Sequence, residues 1–131
     1  MIKEAVICII IVISILFGNY RTQDYTKESV NKLSEGLMNL RGELIKEEEN
    51  INEKNAKDKV DEIYKNWKER HDKLAYFIEH DELEKVETNL ISLKSYIETK
   101  EYKDSDIELD KGEFILKHIE EKYAFNMQNI F

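Results

Sequence analysis

The side chains best suited to chemistry are three histidines (His71, His80 and His118), one cysteine (Cys8) and one tryptophan (Trp67), set among 28 acidic and 20 basic residues. Imidazole binds zinc and titrates near neutral pH. His80 stands beside Glu79, Asp81, Glu82 and Glu84, and His118 falls on the apolar side of a later helical stretch. A bundle that brings these two histidines together would make a zinc-binding or proton-responsive site. Bundles that hold two metal ions place Glu-x-x-His on inward faces, and no histidine here has a glutamate three residues before it. The plainer expectation is that His80 ends a helix and His118 finds an acceptor near the core, with no metal or cofactor. Trp67 lies on an apolar stripe and is expected in the core rather than as a ligand platform. His80, Glu82, His118 and Trp67 are the candidate functional positions.

Other chemistry finds little footing. The sequence holds no G-x-S-x-G, no H-E-x-x-H, no glycine-rich phosphate loop and no cysteine pair. Glu43, with Glu47 and Glu48, reads as a solvated helix face. A non-enzymatic protein is expected. The net charge is −8, and acids and bases alternate, as in Lys57-Asp58-Lys59. Without a basic stripe, nucleic acid is not an expected partner. Cys8 is the single cysteine and lies inside an apolar run; no internal disulfide can form, and cysteine usage does not indicate a compartment.

That run, residues 5–18 (AVICIIIVISILFG), carries no charge. At ~1.5 Å per residue it spans about 21 Å, and Met1-Ile2 and Asn19-Tyr20 extend it toward the ~30 Å of a hydrocarbon core. It is apolar on every face, which argues against a buried core helix. A cleaved signal peptide has the same length of apolar region, but Leu16 would occupy the −3 position if Gly18 stood at −1. The expectation is an uncleaved signal anchor over residues 1–21, with Tyr20 at the membrane interface. Lys3 is offset by Glu4, and Arg21 follows the run. The short N-terminal tail suggests a cytoplasmic N-terminus and an extracytoplasmic domain in the cell membrane.

Residues 22–131 must then form the soluble part. Proline is absent, there are four glycines, and apolar residues recur every three or four positions. The first helix is expected over residues 24–52, with Val30, Leu33, Leu37, Leu40 and Leu44 on one stripe, weakened slightly by Gly36 and Gly42. Residues 47–55 hold only Ile51 as an apolar group and read as a frayed end and turn. The second helix is expected over 56–79, with Arg70 interrupting its stripe. The third is expected over 82–100, capped by Asp81, and the fourth over 106–122, opened by Ser105 in a capping box with Glu108. On the fourth, Ile107, Phe114, Ile115, His118 and Ile119 are expected to face inward. The apolar tail, residues 124–131, is expected to pack back on the bundle. Short connections favour antiparallel neighbours. The fold expected is all-α, an N-terminal transmembrane helix followed by an antiparallel bundle of about four helices. An elongated coiled coil is the alternative.

The segment Phe77-Ile78-Glu79-His80-Asp81-Glu82-Leu83 resembles the F-I-x-H-x-E-I/L core of the domain of unknown function (DUF) family 4363. Val86, Leu90, Leu93, Tyr96 and Ile97 continue that pattern. Leu116, His118 and Ile119 resemble the later L-x-H-I element, and Asn129-Ile130-Phe131 the C-terminal ending. The chain departs from the family at Leu74, where tryptophan is frequent, and at Glu84, where aspartate is. The resemblance implies a membrane-anchored protein of anaerobic spore-forming Gram-positive bacteria and draws attention to His80 and His118. It supplies no activity.

Together these readings point to a non-enzymatic interaction or scaffold module beside a membrane partner, a membrane protein or a second copy of the chain. The alternative is a small metal- or pH-responsive sensor using His80 and His118.

Overall fold

Strong helix formers with apolar groups at helical spacing fold as rods and bury their stripes against one another. The computed structural model describes residues 1–128, with side-chain surroundings for 1–47 and 49–123. Its helices are α1 Ile2–Leu44, α2 Glu53–Leu74, α3 His80–Glu98 and α4 Tyr102–Gln128, with a 3-10 turn at Glu48–Asn50. No strand occurs among the described residues. Each helix packs on the next in sequence, and α4 closes the ring against α1. The shared core includes Leu33, Leu37 and Leu40 of α1, Val60, Ile63 and Trp67 of α2, Leu83, Leu90 and Leu93 of α3, and Leu109, Leu116 and Ile119 of α4. The expected inward packing of residues 124–131 lies outside the side chains described.

The apolar run and the first bundle helix are a single rod. With 43 residues, α1 is about 65 Å long. Residues 1–18 are all exposed, and burial begins in earnest at Thr26. The helix stops at Leu44, earlier than expected, because the next residues, Ile45 to Asn50, leave no apolar group turned to the core. Ile51 is the next to be buried and pins the connection.

Glu43 corrects the reading of its neighbourhood as a solvated face: it is buried. Its Oε1 accepts from the Asn52 backbone N–H at 3.2 Å and from Lys46 Nζ at 3.0 Å. Asn52 in turn caps α2, its Oδ1 accepting from the Asn55 N–H at 3.1 Å. The Lys46 hydrogen bond, followed by the Asn52 N–H, holds the Glu43 carboxyl below its ordinary range.

Both later helices start before their expected caps. α3 begins at His80 with Glu79 at the N-cap and no side-chain cap, and Asp81 and Glu82 fall in its first turn, where carboxylates favour the helix dipole. α3 ends in a tight reversal. Lys100 takes φ 59°, Lys100 N–H donates to Ile97 O and Glu101 N–H to Tyr96 O, the paired bonds of a Schellman ending. This lets α4 start at Tyr102, so Ser105 is no cap. It is fully buried inside the helix, donating to Glu101 O at 3.1 Å.

The face of α4 is also rotated from the expected one. Ser105, Glu108, Leu109, Leu116 and Ile119 are buried, whereas Ile107 and Phe114 are 53% and 74% exposed and His118 is exposed. Close approach explains the choice. A Cβ on Gly112 would stand 2.6 Å from Asn89 Oδ1 and 3.1 Å from Leu37 Cδ1. In the space so conserved, Asn89 Nδ2 donates to Glu108 O at 2.8 Å and to Glu108 Oε2 at 3.0 Å. Presenting Phe114 inward would forfeit this contact. Arg41 fixes the same register from α1, donating to Asp110 at 2.6 Å with Asp106 and Glu113 each at 3.8 Å.

Two outcomes follow. Overpacking costs about 1–3 kcal/mol, and alanine's helix propensity returns ~1, so Gly112→Ala should lose up to about 2 kcal/mol in denaturant unfolding. Gly42→Ala, with nothing within 4 Å of the new Cβ, should gain up to ~1 kcal/mol. Equal stability of the two variants would contradict the packing described. The lowered Glu43 value means its stabilising effect is complete above the ordinary carboxyl value of 4.5 and fades as pH falls through the folded-state value. The stability gap between the native chain and Glu43→Gln should therefore be widest at neutral pH and narrow on acidification; a gap constant with pH would refute the role.

Candidate functional site

Three of the four sequence candidates, His80, Glu82 and His118, fall toward one end of the bundle, the end from which the apolar part of α1 emerges. Three elements meet there: α1 around residues 20–30, the α2–α3 reversal at residues 75–79, and α4 near Tyr123. Tyr123 ties them. Its backbone oxygen accepts from Gln23 Nε2 at 3.3 Å, and its hydroxyl oxygen accepts from the Glu79 backbone N–H at 2.7 Å. Arg70 reaches back from α2 to α1, donating to Ser29 Oγ at 2.9 Å and to Glu28 at 3.3 Å. Arg70 and Lys73 also lie over the Tyr25 ring, 5.5 and 4.1 Å from its centroid, in the range of cation–π attraction. The residue that breaks the α2 stripe in the sequence thus cross-links two helices.

Glu82 is the polar centre of this end. It is buried, and its Oε1 faces Lys85 at 3.4 Å, Lys122 at 3.7 Å and His118 Nε2 at 3.8 Å. Its Oε2 is buried and accepts no hydrogen bond among the described residues. Lys122 also donates to Glu79 at 3.0 Å. That bond, against the opposing effect of burial and with the further pull of the Glu79 and Glu82 charges, raises the Lys122 value. The group is a carboxylate held among two lysines and a histidine, and it joins α3 to α4.

His118 is therefore an exposed residue reaching a buried carboxylate, not the inward residue expected. His80 is exposed at the first position of α3 and joins no ion pair or hydrogen bond of this group among the described residues. No three His, Cys, Asp or Glu side chains are gathered to hold a metal ion among the described residues. Trp67 is in the core, as expected. Its ring meets His71 edge-on at 5.8 Å, and its buried indole N–H has no acceptor among the described residues. Sequence reasoning missed Lys122 and Tyr123, whose only signal was their place at the close of the fourth stripe.

Two grooves flank α1. One, about 270 Å³, lies between α1 and α2 and is bordered by Ser29, Gly36, Asn39, Asn66, Trp67 and Arg70. The other, about 340 Å³, lies between α1 and α4 at the apolar-helix end, bordered by Tyr20, Gln23, Thr26, Lys27, Val30 and Tyr123.

Known proteins bear on this arrangement in one way. No curated protein and no solved structure matches the chain. Residues 20–130 match the family model described as domain of unknown function (DUF4363). The match begins at Tyr20, where the apolar run of α1 ends, and takes in all four bundle helices, including the Glu82–His118 pair. On that match over most of its length, the chain belongs to the DUF4363 family.

Proposed function

We propose that this protein is a single-pass membrane-anchored interaction module without catalytic activity. Its bundle stands on the extracytoplasmic side of the cell membrane and holds a membrane-protein partner or a second copy of the chain. One observation carries the reading: α1 is long and apolar enough to cross a membrane, and the apolar window of that helix has none of its surface buried by the bundle. Ten apolar residues from Val6 to Phe17 are each at least 38% exposed. Exposing so much contiguous apolar surface to water is unfavourable at roughly 25 cal/mol per Å², and a bilayer removes that cost without any rearrangement of the bundle. The bundle itself supports a binding role. Its helices offer grooves with mixed polar and apolar borders and a network of surface charges, suited to contact rather than turnover.

In membrane fractionation the full chain should stay with the bilayer through alkaline carbonate. Ile9→Lys combined with Ile13→Lys should release it, since each charge at a helix centre costs roughly 2.5–3.5 kcal/mol in the membrane. Capture of the native chain from detergent-solubilised membranes should return a stoichiometric partner or a homo-oligomer. Extraction of the native chain by carbonate would contradict the anchor, and repeated recovery of a lone monomer would contradict the interaction role.

A further inference from the structure

Four of the seven tyrosines, Tyr20, Tyr25, Tyr76 and Tyr123, belong to the end of the bundle where the apolar part of α1 leaves it. Two of them are used by the fold. Tyr25 packs on the core beneath Arg70 and Lys73, and Tyr123 bridges α1 and the α2–α3 reversal. The other two make no side-chain hydrogen bond or ring contact among the described residues. Tyr20 is 62% exposed and Tyr76, at the tip of the reversal, is 85% exposed. Phe77 beside it is half-buried against the core.

The heights of these groups agree. Gln23 bonds to the backbone oxygen of Tyr123 and Glu79 to its hydroxyl, so α1, α4 and the reversal meet within the length of one tyrosine side chain of Gln23. Tyr20 is three residues, about 4.5 Å, nearer the apolar run along a helix that does not break. The headgroup layer on each side of a bilayer is about 5–7 Å deep. Once the apolar run fills the hydrocarbon, Tyr20 and the reversal fall in that layer, where tyrosine is favoured because its ring is apolar and its tip is wet. The charges nearby are mixed, with Arg21, Lys73 and Lys122 against Asp24, Asp72, Glu79 and Asp81, so the surface needs no anionic lipid.

We propose that this end of the bundle is a lipid-contact surface, in which Tyr20 and Tyr76 occupy the headgroup layer around the exit of α1 and seat the bundle against the bilayer. The proposal rests on the anchor reading above and adds a second, independent point of membrane contact far from α1 in sequence. A single rod fixes the height of the bundle, and the reversal then fixes its rotation.

The test uses the full chain in phosphatidylcholine nanodiscs, with Cys8→Ser and one spin-labelled cysteine at a time: Ile13→Cys in the apolar run, Ala75→Cys beside an intact Tyr76, and Lys103→Cys at the opposite end of the bundle. Collision with oxygen, which partitions into lipid, and with a water-soluble nickel complex reports depth. The expected result is a deep Ile13 label, an Ala75 label at headgroup depth and an aqueous Lys103 label. Adding Tyr76→Ser should raise nickel access at Ala75 several-fold, and phosphatidylglycerol should change little. Nickel access at Ala75 equal to that at Lys103, with Ile13 deep, would overturn the contact surface and leave the anchor standing. An aqueous Ile13 label would overturn both. An Ala75 label shielded from both reagents would mean a protein covers this end and would overturn the lipid assignment.

Discussion

The structure depends on one helix meeting two different demands. From about Tyr25 onward, α1 must be amphipathic, offering Val30, Leu33, Leu37 and Leu40 to the shared core between α2 and α4. From Ala5 to Phe17 it is apolar on every face, and among the described residues this stretch is exposed throughout. Backbone hydrogen bonding satisfies both, because a helix meets its polar needs internally whether its surroundings are protein, water or lipid. No proline interrupts the junction, and Thr22 and Thr26 bond back to the carbonyls of Gly18 and Thr22 within the rod. Whatever surrounds the apolar half is thus coupled stiffly to the bundle. A flexible linker would have allowed the two to reorient independently.

Apolar burial draws the helices together but is non-directional, so the polar contacts decide which faces meet. Asn89 against Glu108 sets α3 on α4, Arg41 against the acids of α4 sets α1 on α4, and Arg70 against Ser29 sets α1 on α2. Each joins a different pair of neighbours in the ring. Exposed ion pairs elsewhere, such as Lys94 with Asp61 or Lys100 with Glu53, contribute little to stability. The interlocking sites are the partly buried ones, where a partner lost leaves a polar group stranded.

How much of this could be read beforehand differs by element. The stripes of the first three bundle helices were legible because their large apolar residues follow helical spacing without ambiguity. α4 was not, because its sequence offers two faces. One carries Phe114 and Ile107, and the other carries Ser105, Gly112, Leu109 and Leu116. Residue-by-residue hydrophobicity favours the first, but close approach of α1 and α3 selects the second, and that is a property of three helices at once. The same limit hid Glu43: a carboxylate in an acidic run looks solvated until the connection folds back to give it an N–H to accept. Helix starts were displaced because Asp81 and Ser105 have good capping chemistry, yet the α2–α3 reversal ended at Glu79 and the reversal at Lys100 let α4 start at Tyr102. At the candidate site, Glu82 and His118 were named by position and do meet, whereas no contact joins His80 to them, and Tyr123 emerged only from tertiary geometry.

The central claim is that α1 passes from bundle to apolar extension as one unbroken rod. Amide hydrogen exchange across residues 16–28 of the full chain in bilayer nanodiscs tests it most directly. The account predicts slow exchange through the whole stretch, with no fast-exchanging gap between Gly18 and Tyr25. Rapid exchange confined to that junction, with protected amides on both sides, would reveal a hinge and contradict it.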